Sequence, residues 1–146
     1  MSNSLRERAL RLLARREHAR VELSRKLLPY AESAEQLAGL LDELAARQLL
    51  SDERYVEMRL HARSSRFGNA RLAHELRTQG VAEDLVKEAL ASGTDELMRA
   101  QQVWQRKFES LPVDATERAR QMRFLLSRGF SGDTTRRVLR GDFEDD

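Results

Sequence analysis

The sequence predicts an all-α protein built from three tandem three-helix repeats. Leucine, alanine, arginine and glutamate dominate its 146 residues, only two prolines occur and β-branched residues are sparse, which favours helices over strands. Similar segments also recur at intervals of about 50 residues: LSRKL at 23–27, ELRTQGV at 75–81 and FLLSRGF at 124–130. Units this small cannot each bury a core alone, so we expect neighbouring repeats to pack into an elongated, curved molecule.

Residues 1–50 are predicted to form the first repeat. Its second helix starts near Ala19 and ends at Pro29, because proline disfavours continuation of a helix. The third helix starts at Ser33, which forms a capping box with Gln36. We expect these side chains of the three helices to face the core: Leu5, Ala9, Leu12, Leu13, Val21, Leu23, Leu27, Leu28, Leu37, Leu40, Leu41, Leu44 and Ala45.

Residues 51–93 are predicted to form the second repeat. Ser51 is the expected N-cap of its first helix, with two acidic residues in the first turn, where the helix dipole favours negative charge. Asn69 is the expected cap of the second helix, and residues 83–91 form the third. We expect these side chains to pack in its core: Tyr55, Val56, Leu60, Leu72, Ala73, Leu76 and Val81, with Val81 packing against Leu85 or Val86.

Residues 94–141 are predicted to form the third repeat, followed by an acidic tail at 142–146. Asp95, Asp114 and Ser131 stand at the expected helix starts. The predicted inward side chains are Leu97, Val103 or Trp104, the stem of Lys107, Phe108, Ala119, Met122, Leu125, Leu126, Val138 and Leu139. Four glycines are predicted to end helices in the left-handed conformation: Gly80, Gly93, Gly129 and Gly141.

No constellation of residues suggests catalysis or metal binding. The chain has no cysteine, which excludes disulfides and thiolate metal sites. His18, His61 and His74 lie far apart without zinc-ligand spacing, and we expect them to be solvated or locally hydrogen-bonded. Neither a phosphate-binding glycine loop nor a nucleophile elbow occurs. We therefore expect no enzyme activity, metal or cofactor. The lack of an apolar run of about 18 residues or a secretion signal favours a cytoplasmic protein without membrane contact.

Basic and acidic residues alternate in blocks, although the net charge is only +2. Of the 26 basic residues only Lys26, Lys87 and Lys107 are lysine, a bias that suits bidentate contacts to phosphate or carboxylate and that high genomic GC content would also produce. If the repeats stack, their basic segments could form one stripe suited to a polyanion. The predicted binding residues are Arg15, Arg16, Arg20, Arg25 and Lys26, then Arg54, Tyr55, Arg59, Arg63, Arg66, Arg71 and Arg77, then Arg123, Arg128, Arg136 and Arg137.

The arginine row in the second repeat also has a plainer interpretation. A solvated helix face with intrahelical pairs, such as Glu57 with Arg54, would account for it. Tyr55 is predicted to pack in the core, with base stacking or a partner contact as the alternative. The stripe makes a geometric prediction, because three arginines of the second repeat should then lie on the same side as one arginine from each flanking repeat: Arg63, Arg66 and Arg71 with Arg15 and Arg128.

Three segments carry a resemblance to a known family: ALRLLARREHARVELSRKL at 9–27, SDERYVEMRLHARSSRFGNARLAHELRTQGV at 51–81 and RQMRFLLSRGFSGDTTRRVL at 120–139. Their order and spacing resemble the RecX regulatory proteins, which modulate the RecA recombinase, over nearly the whole chain. The matching positions include Arg15, Arg16, Arg20, Asp52, Arg54, Tyr55, Arg63, Gly68, Arg71, Gly80, Arg128, Gly129 and Phe130. Arg59, His61 and Asn69 depart from the residues usual in that family.

The resemblance implies a protein that binds in the groove of the RecA–DNA filament and inhibits ATP hydrolysis and strand exchange, by blocking filament growth or promoting disassembly. It implies RecA, its nucleoprotein filament and single-stranded DNA as partners, with duplex DNA as a further one, and we expect a monomer. Two other classes stay open. A helical DNA-binding protein or transcription regulator independent of RecA predicts discrimination between DNA sequences. A protein-binding adaptor predicts no salt-sensitive DNA affinity.

Overall fold

The computed structural model describes residues 4–142, and within that range the chain forms nine α-helices, one short 3₁₀ turn and no strand. The all-α prediction is confirmed. The helices are α1 Leu5–Arg15, α2 Arg20–Leu27, α3 Ala34–Ala46, α4 Asp52–Arg63, α5 Asn69–Thr78, α6 Glu83–Ser92, α7 Glu96–Lys107, α8 Ala115–Ser127 and α9 Gly132–Leu139. The 3₁₀ turn Leu28–Tyr30 directly follows α2 and contains Pro29, which ends the helix as predicted.

Side-chain caps begin most of these helices where the sequence predicts them. The side chains of five predicted caps accept hydrogen bonds from backbone N–H groups in the first turn: Ser33, Ser51, Asp95, Asp114 and Ser131. At α3 the reciprocal half of the capping box differs, because the Gln36 side chain accepts from the N–H of Glu32 at 2.7 Å. The predicted starts are therefore confirmed, with one exception at α5.

Asn69 does not cap α5, so that prediction was wrong. Asn69 is the first residue of the helix, and the carbonyl of Gly68 accepts the first helical hydrogen bond, from the N–H of Leu72 at 3.1 Å. The Asn69 side chain is unable to cap because its Oδ1 accepts from the guanidinium of Arg99. The N–H of Asn69 donates instead to the carboxylate of Glu96 at 2.7 Å.

The chain divides into two compact units. Unit 1 comprises Met1–Arg59 and Leu76–Val86, and unit 2 comprises Leu60–Glu75 and Lys87–Asp146. Neither unit coincides with one of the predicted repeats, because the division falls inside α4, α5 and α6. The boundaries of the three repeats stay a prediction, and residues 143–146 of the predicted acidic tail lie outside the described residues.

Leucines from α1, α2 and α3 form the core of unit 1. Most predicted core residues are buried or half-buried, but Leu28, Val21 and Ala45 are exposed, and those three predictions were wrong. Leu28 lies in the 3₁₀ turn that follows α2, and Ala45 lies at the edge of the buried leucine face of α3. Val21 packs on the backbone at Gly80, where an added Cβ would lie 2.5 Å from the Val21 side chain.

The core of unit 2 forms where α7 packs against α8 and α9. Trp104 is buried there, and its Nε1 donates to Oε1 of the buried Gln121 at 2.8 Å. Gln121 therefore faces inward from α8, where only apolar side chains were predicted to face inward. Ala119 and Leu126 are exposed, contrary to prediction, and Lys107 is exposed although its stem was expected to face inward.

Three of the four predicted helix-ending glycines are confirmed. Gly80, Gly129 and Gly141 have φ values of 77°, 89° and 76°, a region where residues with a Cβ are strained. Gly93 is not in this region, so its assignment was wrong. After α3, Gln48 adopts the left-handed conformation with a φ of 61°, which a residue with a side chain does not predict.

Candidate functional site

A basic pocket lies at the surface of unit 2. The Phe124 pocket, as we name it, has a volume of about 230 Å³ and is lined by Arg66, Arg106, Lys107 and Arg128 with Val103 and Phe124. All four charged side chains are cationic, and among residues 4–142 no carboxylate lines the pocket. Four cations around one concave surface create a positive potential that attracts anions.

The ring of Phe67 organises the arginines on one side of this pocket. Four guanidinium groups lie over or beside that ring, with centroid distances of 4.3–5.8 Å, within the range of cation–π attraction. They belong to Arg63, Arg66, Arg71 and Arg128. Phe67 itself is buried, and its ring attracts these guanidinium groups while the Arg66 and Arg71 residues stay exposed.

Backbone contact between Gly68 and the end of α8 brings these arginines together. The N–H of Gly68 donates to the carbonyl of Arg128 at 2.8 Å, and the N–H of Ala70 donates to that of Gly129 at 3.1 Å. A Cβ on Gly68 would lie 2.3 Å from the Gly129 carbonyl oxygen, which is far inside van der Waals contact. Glycine is therefore required at position 68 if the turn that contains Arg66 is to pack against Arg128.

The ring of Phe124 and two backbone carbonyls position Lys107, Arg106 and Arg128 around the pocket. Arg128 and Lys107 lie 5.1 and 5.6 Å from the centroid of Phe124, whose ring meets Phe108 edge to face. Arg106 donates to the carbonyl of Ser65 at 2.5 Å and to that of Gln102 at 3.2 Å. These acceptors are neutral, so the positive charges of the pocket are not cancelled by them.

A second basic pocket lies in unit 1. The Tyr30 pocket has a volume of about 300 Å³, and four cations and one aromatic ring line it together with two leucines: Arg8, Arg11, Arg15, Lys26, Tyr30, Leu12 and Leu27. The guanidinium of Arg8 lies 3.8 Å from the centroid of Tyr30, which is 55% exposed. In this part of the described chain, too, no carboxylate lines the pocket.

A buried polar network supports the Tyr30 pocket through Lys26. The Lys26 ammonium lies 3.0 Å from Nε2 of His18, and His18 Nδ1 lies 3.0 Å from the carbonyl of Arg16. With Nδ1–H donating to the carbonyl, Nε2 is free to accept from Lys26, so a neutral imidazole fits this geometry. Burial lowers the pKa of His18, and the positive charges of Arg16 and Lys26 add to this effect.

The acidic member of the network is Glu22. Its carboxylate accepts two hydrogen bonds from Arg16, at 3.0 and 2.6 Å, and lies 3.9 Å from the Lys26 ammonium. Burial would raise the pKa of Glu22, but the hydrogen bond and charge of Arg16 outweigh it, so the pKa is lowered. The ionised Glu22 therefore forms a bidentate ion pair with Arg16.

Ion pairs within the molecule occupy six of the predicted binding arginines. These pairs are Arg16–Glu22, Arg20–Asp42, Arg54–Glu17, Arg63–Glu75, Arg77–Glu83 and Arg137–Asp142. Arg25 donates to the carbonyl of Thr78, and Arg59 is half-buried. Arg54 forms an ion pair with Glu17, which lies outside α4. The plainer interpretation of the sequence suggested a pair with Glu57 along that helix. Tyr55 is 1% exposed, so its core role is confirmed.

The remaining predicted arginines carry no ion pair with a carboxylate within residues 4–142: Arg15, Arg66, Arg71, Arg123, Arg128 and Arg136. The structure brings three of the predicted stripe residues, from α4, the following turn and α5, together with Arg128 around Phe67: Arg63, Arg66 and Arg71. Arg15 belongs to unit 1, in the Tyr30 pocket, so one continuous stripe stays a prediction.

Sequence reasoning missed six of the ten cationic and aromatic residues that line the two pockets: Arg8, Arg11, Tyr30, Arg106, Lys107 and Phe124. In unit 1 a signal existed, because Arg8, Arg11 and Arg15 follow one another at spacings of three and four and so share one helix face. In unit 2 no local pattern joins Arg66 to Arg106 and Arg128, since they come from three different segments.

Neither a metal site nor a membrane span emerges from the described residues. Over residues 4–142, no three histidine or acidic side chains come close enough to hold a metal ion. Within the same range, none of the helices combines the length and apolar character that crossing a bilayer requires.

Fold and pockets together define an all-helical protein with cationic surface pockets. Two family models match the chain, described as "RecX, second three-helix domain" at residues 51–90 and "RecX, third three-helix domain" at residues 94–139. The chain belongs to the RecX family. A "Regulatory protein RecX" from Chromobacterium violaceum is 48% identical, covering 98% of this chain and 93% of that protein.

Further relatives agree in sequence and in fold. A "Regulatory protein RecX" from Leptothrix cholodnii is 50% identical over 98% of this chain and 92% of its own length. The crystal structure of RecX from Lactobacillus salivarius superimposes with a TM-score of 0.81, covering 94% of both chains at 18% identity. That structural match supports the helical fold alone, while the sequence matches establish the family.

Proposed function

We propose that this protein binds RecA and the RecA–DNA filament and inhibits ATP hydrolysis and strand exchange, by blocking filament extension or promoting disassembly. It acts in the cytoplasm as a monomer, without cofactor and without catalytic activity of its own. Membership of the RecX family supports this function, because the relatives carry the description "regulatory protein". The predicted contacts are with RecA, single-stranded DNA and duplex DNA.

The observation that carries the DNA part of the proposal is the chemistry of the two basic pockets. Each combines four cations with an aromatic ring, and in the described chain neither is lined by a carboxylate. Cations that neutralise phosphates release counterions, and aromatic rings stack on bases without sequence preference. We assign the DNA contact to these pockets rather than to the arginines that already form ion pairs.

The test is a titration of the purified protein against single-stranded DNA, duplex DNA and RecA filaments across a salt series, with RecA-catalysed ATP hydrolysis followed in parallel. We expect salt-sensitive binding to DNA, tighter binding to the filament and slower hydrolysis. An unchanged hydrolysis rate at saturating protein would remove the proposed role towards RecA, whatever the DNA affinity.

The pockets also favour a second candidate, a helical DNA-binding protein or transcription regulator that acts independently of RecA. Such a protein would read base edges with a helix in the major groove and would discriminate strongly between duplex sequences. The same titration separates the two, because sequence-independent binding with inhibition of RecA supports the first candidate and sequence-specific binding without inhibition supports the second.

A further inference from the structure

A third pocket in the molecule is lined by a buried arginine, Arg99. The Arg99 pocket lies in unit 2 and has a volume of about 360 Å³, and its polar lining residues are Arg99, His61, Ser64, Ser65, Asn69, Thr94 and Gln102. Its volume falls in the range of roughly 300–1,000 Å³ that is usual for small-molecule sites. The DNA-binding assignment made above uses none of these residues.

Arg99 is buried without a direct anionic partner. It is 5% exposed, and its Nη1 and Nη2 both donate to Oδ1 of Asn69, at 3.1 and 2.5 Å. Its Nε is buried and has no hydrogen-bond partner among the described residues. Buried guanidinium groups are normally satisfied by carboxylate or phosphate oxygens, whereas the acceptor here is a neutral amide.

The acidic residues near Arg99 do not take the place of that anion. Glu96 lies one turn earlier on α7, but its carboxylate oxygens accept from the backbone N–H groups of Asn69 and Ser131, at 2.7 and 3.3 Å. Asp95 caps the helix by accepting from the N–H of Leu97. Burial lowers the pKa of Arg99 in spite of the negative charge of Glu96 and Asp95, which shows that those charges do not fully compensate burial.

The other polar groups of the pocket favour an anion with several oxygens. Ser65 and Thr94 contribute hydroxyl groups and Gln102 an amide, and Asn69 retains its amide N–H groups as donors once Oδ1 is bound to Arg99. Within the described chain, no carboxylate lines this pocket. A carboxylate has two acceptor oxygens and a phosphate has more, so a phosphate satisfies more of these donors.

We propose that the Arg99 pocket binds a phosphate-bearing ligand of nucleotide size. The phosphate accepts hydrogen bonds from the Arg99 guanidinium and from the neighbouring donors. Leu60, Ala89 and Leu90 form the apolar wall that covers the organic part of the ligand. This site is separate from the two basic pockets and does not depend on binding to RecA.

The first test measures binding of inorganic phosphate, adenosine 5′-monophosphate, adenosine and acetate to the full chain by titration calorimetry. We expect one saturable site per chain for the nucleotide and for phosphate, with adenosine and acetate at least about tenfold weaker. Failure of both phosphate and the nucleotide to bind up to about 10 mM, or equal affinity for acetate, would overturn the proposal.

The variant that tests the central residue is Arg99→Gln, which removes the charge and keeps a donor towards Asn69. We expect it to weaken nucleotide binding by about tenfold or more, because a charge-assisted hydrogen bond is lost. Arg47→Gln is the matched control, since Arg47 is exposed and lines none of the three pockets, and it should bind the nucleotide as the wild type does. Equal affinity of Arg99→Gln and wild type would rule the site out.

A second variant keeps the test informative if Arg99→Gln does not fold. Gln102 is exposed, so Gln102→Ala should leave the helical circular dichroism signal unchanged while weakening nucleotide binding by about threefold. Unchanged affinity in this variant counts against the site. Oligonucleotides with and without a 5′-phosphate then identify the source of the phosphate. Preference for the phosphorylated oligonucleotide supports a nucleic-acid end, and preference for the mononucleotide supports a free nucleotide.

Discussion

The Tyr30 and Phe124 pockets have the same number of cations but present their aromatic rings differently. Tyr30 is 55% exposed, whereas Phe124 is half-buried and lies under Arg128 and Lys107. An exposed ring can stack on a base, while a covered ring mainly fixes the cations above it. On the proposed function, this comparison leads us to expect that unit 1 contacts bases as well as phosphates and that unit 2 contacts phosphates.

The largest effect is expected where the Phe124 pocket depends on backbone contact. Gly68→Ala should destabilise the protein by about 3 kcal/mol, because the added Cβ clashes with the Gly129 carbonyl and separates the hydrogen-bonded segments. Urea unfolding followed by circular dichroism measures this. Gly39→Ala is the control, since Gly39 has open space around its Cβ position within a helix, and the change there should stabilise by about 0.5–1 kcal/mol.

The second-largest effect is expected on DNA binding, when cations without a carboxylate partner are removed rather than cations that form ion pairs. Replacing Arg66, Arg106 and Arg128 together with alanine should weaken single-stranded DNA binding by about 10- to 100-fold at moderate salt and reduce the salt slope by about 2. The control removes the same charge from three residues that form ion pairs with carboxylates: Arg20, Arg77 and Arg120. Equal loss in both triple variants would mean that net charge, and not the pocket, determines affinity.

Arg63 makes a poor probe of DNA contact, although it lies in the arginine row. Its Nε donates to both carboxylate oxygens of Glu75, at 2.5 and 2.9 Å, and both side chains are largely buried. Arg63→Ala would therefore leave Glu75 poorly compensated and change stability together with binding. Variants of Arg66 and Arg71, which are exposed, report on binding more directly.

A smaller effect is expected in the Tyr30 pocket, where stacking adds to charge. Tyr30→Ala should weaken single-stranded DNA binding by about 5- to 100-fold without changing the salt slope, because a ring is lost and no cation is removed. Tyr30→Phe keeps the ring and should bind as the wild type does. If both variants bind alike, or if the salt slope falls, the contrast between the two pockets is wrong.

The smallest expected effect is a change of stability with pH that is due to His18, the hydrogen-bond partner of Lys26. The pKa of His18 is lowered from its ordinary value of 6.5, first by burial and then by nearby positive charge. The unfolded chain therefore takes up a proton on His18 at a higher pH than the folded protein does. The stability due to neutral His18 is complete above pH 6.5 and declines as the pH falls below it, by no more than about 1.4 kcal/mol per pH unit.

Urea unfolding between pH 7.5 and 5.5 tests this expectation. His18→Gln removes the titrating group while an amide can still donate to the Arg16 carbonyl and accept from Lys26, so its stability should depend less on pH. His61→Gln, at an exposed position, should keep the wild-type dependence. Identical profiles for wild type and His18→Gln would show that His18 is not the responsible group.

Local chemistry made the helices predictable. Caps such as Ser51 and Asp114 act within three residues of themselves, and Gly80 and Gly129 adopt a conformation that depends mainly on the lack of a Cβ. The wrong predictions concern residues whose burial depends on packing between helices. Leu126 is apolar but exposed, and Gln121 is polar but buried, because the indole of Trp104 provides the hydrogen-bond partner.

The candidate site was less predictable than the fold, because distance along the chain hides its partners. The sequence identified Arg66 and Arg128 as basic residues but could not show that both lie near the ring of Phe67, or that Lys107 lies beside Phe124. The pairing of Arg54 with Glu17, 37 residues away, was hidden for the same reason. Charge patterns therefore indicated a polyanion partner without separating available arginines from occupied ones.

The contact between Gly68 and the end of α8 also has a consequence for synthesis of the protein. The carbonyl acceptors for Gly68 and Ala70 belong to Arg128 and Gly129, so they are translated about 60 residues later. The Phe124 pocket is therefore unable to form on a nascent chain until the end of α8 has left the ribosome. The Tyr30 pocket uses only residues 8–30 and can form much earlier. A ribosome-bound chain would thus acquire its two candidate DNA contacts one after the other.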